Sequence, residues 1–368
     1  ILGFPQAIGV PIVSAIFVFI LQWGANLLGN NQFITINLHN IETAVRNIDF
    51  YDFLINGVIC FILTSSALKF KVSDLQSHWK PISILATLAL VLCALFFGGL
   101  LFGFQYLMGS PVPILILLLL GSALGATDPI GIKGVLSSVR APHHLMVKLE
   151  GESLFNDAMC IAVFMTLLNV LKGEKFSFIA TLQTLFYEIV VAVIIGLAFG
   201  WLILRILRGK HEMESLILTT ALLACGSYLV ALFAHASAPI ACVIGGLIVG
   251  NKWNEILKEK EISEVNHFWH TVEGIINSFL FTLIGLELFI LDLSASLIFG
   301  GVVAFILLHV SRFAANYLAF AFFPSFRKKS YNGSLAIISW GGVRGGISLA
   351  LVLAVANLPQ LTEYSSIL

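Results

Sequence analysis

Four residues between positions 152 and 157 carry oxygen atoms suited to holding a small cation: Glu152, Ser153, Asn156 and Asp157. On a helix turning ~100° per residue they occupy a face about 140° wide. Glu152 stands one turn from Asn156, and Ser153 one turn from Asp157. Two carboxylates, a hydroxyl and an amide oxygen are ligands for a hard cation. The five cysteines, Cys60, Cys93, Cys160, Cys225 and Cys242, sit singly in apolar runs with no paired spacing for zinc or disulfides, and read as packing residues.

Two other strings surround this chemistry. The first runs Ala126, Thr127, Asp128, Pro129, Ile130, Gly131, with Gly121 and Gly125 just before it. A proline in mid-helix removes a backbone hydrogen bond and clashes with the preceding turn; a simple kink is one reading, but a kink alone has no need of an Asp there, and the string reads as a break in the helix. The second string, Trp340, Gly341, Gly342, Val343, Arg344, Gly345, Gly346, puts four glycines and an arginine in an apolar run. Tight helix packing accounts for the glycines but not for Arg344.

The elements that must position these residues are membrane helices. Of 368 residues 58% are hydrophobic and 11% charged, against about 25% charged in a soluble domain. Runs such as 113–125, 186–204 and 297–323 are continuously apolar, where barrel strands would alternate. Eleven spans are read, at 5–28, 49–68, 81–106, 111–139, 147–171, 181–204, 214–234, 237–250, 267–290, 296–323 and 333–357. Zero net charge gives no electrostatic footprint for nucleic acid.

Loop charges test this topology. Alternate loops hold Lys69, Lys71, Lys80; Arg140, Lys148; Arg205, Arg208, Lys210; Lys252, Lys258, Lys260; and Arg327, Lys328, Lys329. The intervening loops hold only Arg46, Lys172 and Lys175, so the first set is placed in the cytoplasm. Residues 252–266, with Lys and Glu interleaved, read as a cytoplasmic surface helix or a solvated connector. Lys133, Arg312 and Arg344 fall inside spans. Ionisable groups at that depth are costly and tend to line ion paths or pair with one another. Glu188, Glu273, Glu287 and His309 are weaker candidates, each near a span end or a helix contact. Interrupted helices in opposite halves of a chain, running in opposite directions, point to inverted repeats around a midplane site.

The strings ATDP, GESLFNDA and GGVRGG, in this order, resemble the monovalent cation:proton antiporter superfamily. The similarity is greatest to the electroneutral branch of NhaP-type proteins and sodium/proton exchangers, over nearly the whole chain. The resemblance implies an all-α membrane protein with the antiporter fold: two inverted six-helix repeats and two crossing discontinuous helices, 111–139 and 333–357. The family pattern implies one further span beyond each end. Within the single transmembrane unit 1–368, it implies a core of 81–171 and 296–357, with 1–68 and 181–290 as scaffold, dimerisation and linking elements.

Carried over by motif, Asp157 is the shared site of cation and proton, with Asp128 close by. Thr127 and Ser153 lend oxygens to Na+, which would be held at Asp157, Ser153 and Thr127. Asn156 steadies the break at Thr127 and Asp128. Glu152 pairs with Arg312, and Arg344 counters partial charges where the second broken helix opens. Two features depart from the pattern: span 49–68 has Asn56 but no acidic residue in its middle, and Lys133 follows the first break, where it tunes the entrance or snorkels to the interface.

The expected activity is exchange of Na+ or Li+ for H+ across the plasma (inner) membrane by competition at Asp157. It is electroneutral if that carboxylate alone couples the fluxes. The partners expected are Na+, H+, the lipid bilayer and a second copy of the chain, with no nucleic acid, no cofactor and no enzymatic activity. The rival readings are a K+/H+ antiporter on the same scaffold, a cation channel, and an intramembrane hydrolase using Asp128 and Asp157.

Overall fold

In the computed structural model the described residues are 52–109, 112–127, 142–173, 178–209, 212–290, 295–321, 334–342 and 344–356, with 13, 16 and 20 alone before them. The side chains of 178, 283, 284, 286–290, 334, 346 and 356 are not described. Every described element is helical. Most of the expected span 5–28 lies outside the described residues, as do Asp128, Lys133, Arg140, Lys210 and Arg327 to Lys329.

Among the described residues, five helices are long and apolar enough to cross a membrane: Val72–Leu107, His143–Leu171, Ile179–Ile206, Met213–Phe233 and Ala295–Ala321. Large apolar side chains point outward from them, among them Phe186 at 70%, Leu218 at 68% and Phe305 at 62% exposure. A water-facing surface could not carry so many contiguous apolar groups. The chain is an integral, multi-pass membrane protein.

The helices are α1 (Ile59–Lys69), α2 (Val72–Ile84), α3 (Leu90–Leu107), α4 (Ile114–Ala123), α5 (His143–Leu171) and α6 (Phe178–Ile206). There follow α7 (Met213–Phe233), α8 (Ala238–Lys252), α9 (Glu259–Ile290), α10 (Ala295–Ala321), α11 (Ser334–Trp340) and α12 (Gly346–Ala356). A π-helical turn, Phe53–Val58, leads into α1. Its Ile55 carbonyl accepts the Tyr228 hydroxyl of α7, a partner from outside its own helix.

One set of helices packs α8 against α6, α1 and α7, with α9 laid on α1 and α7. Trp269 of α9 is fully buried there, and its indole donates to Thr220 Oγ1 at 2.9 Å. The other set packs α3 against α4 and α10, α5 against α4 and α2, and α11 against α10. Contacts of α5 with α8, and of α9 with α12, join the two sets. The close approach of α3 and α4 depends on Gly121, where a Cβ would stand 2.8 Å from the Ala94 carbonyl oxygen.

Three boundaries differ from the sequence reading. Helix begins at Val72 rather than 81, because the polar turns 72–80 continue into the span through a bend at His78 and Pro81, followed by a π-helical stretch, Leu85–Ala89. The Pro81 ring removes the donor for the Ser77 carbonyl, so the polar and apolar parts are set apart by this bend. The stretch 252–266 is not one surface helix: α8 runs to Lys252, residues 253–258 form a short, partly exposed connector, and α9 is continuous from Glu259 into the next span. Lys148 is not a loop residue; it lies in the second turn of α5, 1% exposed.

Candidate functional site

α4 ends at Ala123, and Leu124 to Thr127 leave the helix. A helix end leaves carbonyls without intrahelical donors, and at membrane depth they must find partners in the protein. Here side chains supply them in order. Arg344 Nε donates to the Leu124 carbonyl at 2.9 Å. Asn156 Nδ2 donates to that of Gly125 at 2.9 Å. Ser348 Oγ donates to that of Ala126 at 2.8 Å, and Ser153 Oγ to that of Thr127. One turn earlier, Cys160 Sγ donates to the Ser122 carbonyl at 2.9 Å.

Asn156 Nδ2 also donates to Thr127 Oγ1 at 3.1 Å. Two acceptors around one nitrogen fix the orientation of the amide. Its Oδ1 is buried and finds no hydrogen-bond partner among the described residues. Thr127, Ser153 and Asn156 are all buried. Asp157, on the same face of α5, is only half-buried. Asp128 lies outside the described residues.

The second interruption falls between α11 and α12, where Gly341, Gly342, Arg344 and Gly345 are non-helical. Arg344 Nη1 donates to the Gly342 carbonyl while Nε holds Leu124, so one guanidinium serves both breaks. Glu152, one turn before Asn156, meets Arg312 of α10 in a buried ion pair at 2.6 Å. Arg312 also reaches the Ile338 carbonyl at 3.4 Å. Gly342 lies against this guanidinium, and a Cβ there would overlap it. One turn along α10, Asn316 Nδ2 donates to Ser339 Oγ of α11 at 3.0 Å.

The structure thus brings Thr127, Ser153 and Asn156 together, sets Asp157 on their helix face, and places Glu152, Arg312 and Arg344 around the two breaks. The weaker candidates fall elsewhere. Glu273 accepts from Lys69 at 2.7 Å and Ser65 at 2.8 Å, joining α9 to α1. Glu188 lies on α6. His309 Nδ1 lies 2.9 Å from the Phe305 carbonyl of its own helix, and its ring lies tilted against that of Phe305 with centroids 4.2 Å apart. The Glu287 side chain is outside the described residues. Ser348 and Cys160 were missed by sequence reasoning. Ser348 could have been found from its place one turn beyond Arg344; Cys160 had no signal beyond its position one turn after Asn156.

Among the described residues no group of three or more His, Cys, Asp or Glu side chains is arranged to hold a metal ion.

The comparisons with known proteins agree with this architecture. In fold, the chain is similar to the sodium proton antiporter MjNhaP1 from Methanocaldococcus jannaschii, with a TM-score of 0.69, 19% sequence identity, and coverage of 98% of this chain and 87% of that one. In sequence, it is 34% identical over 366 residues to the Na(+)/H(+) antiporter NhaP of Pseudomonas aeruginosa, covering 97% of this chain and 84% of that protein. It is 28% identical over 325 residues to the Na(+)/H(+) antiporter NhaH of Halobacillus dabanensis, covering 86% of this chain and 78% of that protein. The family model described as "Sodium/hydrogen exchanger, transmembrane" matches residues 6–368. A multi-pass membrane protein whose described elements are all helical, with this degree of kinship, belongs to the sodium/hydrogen exchanger family.

Proposed function

We propose that this protein is a secondary active antiporter that exchanges Na+, or Li+, for H+ across the plasma membrane, with cation and proton competing at Asp157. The observation that carries the reading is the junction of α5 with the first break, where Ser153 and Asn156 tie the Gly125 and Thr127 carbonyls one turn or less from Asp157. The relatives named as Na(+)/H(+) antiporters support it.

Na+ binds at Asp157 with oxygens from Ser153 and Thr127, and with Asp128 nearby. Hydroxyl and carbonyl dipoles are already held in place by the hydrogen bonds around the break, so little reorganisation accompanies binding. Bound sodium favours the carboxylate and releases its proton; protonation neutralises the carboxylate and releases sodium. A bare carboxylate crossing the barrier is penalised as a buried, uncompensated charge, whereas the sodium-loaded and protonated forms cross. That difference couples the two fluxes.

With Asp157 as the only coupling group, one Na+ exchanges for one H+ and no charge moves. Asn156 fixes the break, and the Glu152 to Arg312 pair braces the core without touching the cation. The moving core is 81–171 with 296–357, against a scaffold of 1–68 and 181–290. That division is supported by the packing of α3, α4, α5 and α10 on one another, and of α1, α6, α7 and α8 on one another. Assembly as a homodimer belongs to the same reading. The protein works without a cofactor and is not an enzyme.

The test is sodium-driven proton movement in proteoliposomes loaded with a pH dye, for the wild type and Asp157→Asn. Exchange in the wild type, none in the variant and no membrane potential would support the reading. Full exchange in Asp157→Asn would remove that residue from the mechanism. A response to K+ alone would favour the potassium antiporter, and a conductance persisting without a proton gradient would favour a channel.

A further inference from the structure

The four carbonyls from Leu124 to Thr127 are held from two sides in strict alternation. Those of Gly125 and Thr127 accept from Asn156 and Ser153 of α5. Those of Leu124 and Ala126 accept from Arg344, within the second break, and from Ser348, in the first turn of α12. Leu124 and Gly125 form the turn that closes α4, and Ala126 and Thr127 follow it outside the helix. This stretch is therefore clasped between α5 and the start of α12.

Ser348 is fully buried, and its choice of partner is informative. Serine and threonine hydroxyls inside helices commonly bond back to the carbonyl four residues earlier. Ser227 and Ser311 do so here, to Leu223 at 2.6 Å and Leu307 at 2.7 Å. Ser348 instead reaches out of its helix to Ala126, 222 positions away in the chain.

The Ala126 carbonyl and the Thr127 amide nitrogen share one planar peptide unit. Holding that oxygen fixes the plane from which Thr127 departs, and so helps to place Thr127, whose Oγ1 accepts from Asn156. We propose that Ser348 is a positioning residue for the cation site, setting the place of Thr127 through the Ala126 carbonyl. The inference rests on the proposed binding of Na+ beside Thr127. It makes the affinity of a site on α4 and α5 depend on a hydroxyl of α12.

The experiment measures exchange rate against Na+ concentration, at one pH, in proteoliposomes of the wild type, Ser348→Ala, Ser348→Thr and Asp157→Asn. Ser348→Ala is expected to raise the apparent KM for Na+ about fivefold, the equivalent of one neutral hydrogen bond, with the maximal rate per reconstituted protein little changed. Ser348→Thr, which keeps the hydroxyl, returns the KM to the wild-type value. A residue that only supports folding would lower yield and maximal rate and leave KM alone. An unchanged KM in Ser348→Ala, or an equal rise in Ala and Thr variants, overturns the proposal. If the Ala variant does not reconstitute, Ser348→Gly takes its place, with the same rise expected and an unchanged KM again overturning it. Wild-type exchange in Asp157→Asn would instead overturn the underlying site, so the two failures are distinct.

Discussion

The Arg344 guanidinium donates to the carbonyl of Leu124 at 2.9 Å, although 220 positions of chain separate them. The same guanidinium donates to Gly342. The arginine expected at the opening of the second broken helix therefore also closes the end of the first. Carbonyl ends of helices carry partial negative charge and favour a nearby cation, so a single positive group serves two such ends.

Replacement of Arg344 by Gln should leave these carbonyls with a weaker partner. Hydrogen bonds to charged groups contribute about 1.5–3 kcal/mol. The variant is expected to melt at lower temperature in detergent and to exchange more slowly, with Arg344→Lys intermediate. Thermal unfolding followed by light scattering, together with proteoliposome flux, would check both effects.

The pair between Glu152 and Arg312 is buried on both sides, with side-chain exposures of 3% and 6%. Breaking one partner leaves an uncompensated buried charge, which costs about 3–5 kcal/mol. Glu152→Gln alone should be strongly destabilised. The double variant Glu152→Gln with Arg312→Met should recover much of that loss. A thermal-shift double-mutant cycle measures the coupling; additive losses would contradict a direct pair.

Gly342→Ala should be poorly tolerated, because a Cβ there overlaps the Arg312 guanidinium. Reduced yield of monodisperse protein is expected, while Gly99→Ala on α3, where a Cβ meets nothing within 4 Å, should behave as wild type. Size-exclusion profiles of the two variants make the comparison.

Much of this site was legible in the sequence because its residues are expensive where they stand. Asp157, Glu152, Arg312 and Arg344 are charges in apolar runs, and Pro129 and the glycines near 342 announce breaks in helices that composition had already placed. Lys148 was misread because its charge looked like a loop signal, whereas it lies buried in the second turn of α5. The start of α2 was missed because its polar turns carry no span signal and depend on the bend at Pro81. Ser348 gave only the faint signal of standing one turn beyond Arg344; its meaning comes from the tertiary packing that brings Ala126 to it.

Glu273→Gln should leave exchange intact. Its carboxylate joins Lys69 and Ser65 between α9 and α1, and a partly exposed pair of this kind contributes roughly 0.2–1 kcal/mol. Unchanged KM and maximal rate for Na+ are expected from flux assays. A large rise in KM would instead place Glu273 on the ion path.

The most direct test of competition at Asp157 is the apparent KM for Na+ measured across a series of pH values, with both sides of the membrane clamped. The account predicts that in the acidic limb KM rises about tenfold per unit fall in pH, as expected when one proton must leave for one cation to bind, while the maximal rate stays level. A KM independent of pH, with the rate alone changing, would contradict a shared site for cation and proton.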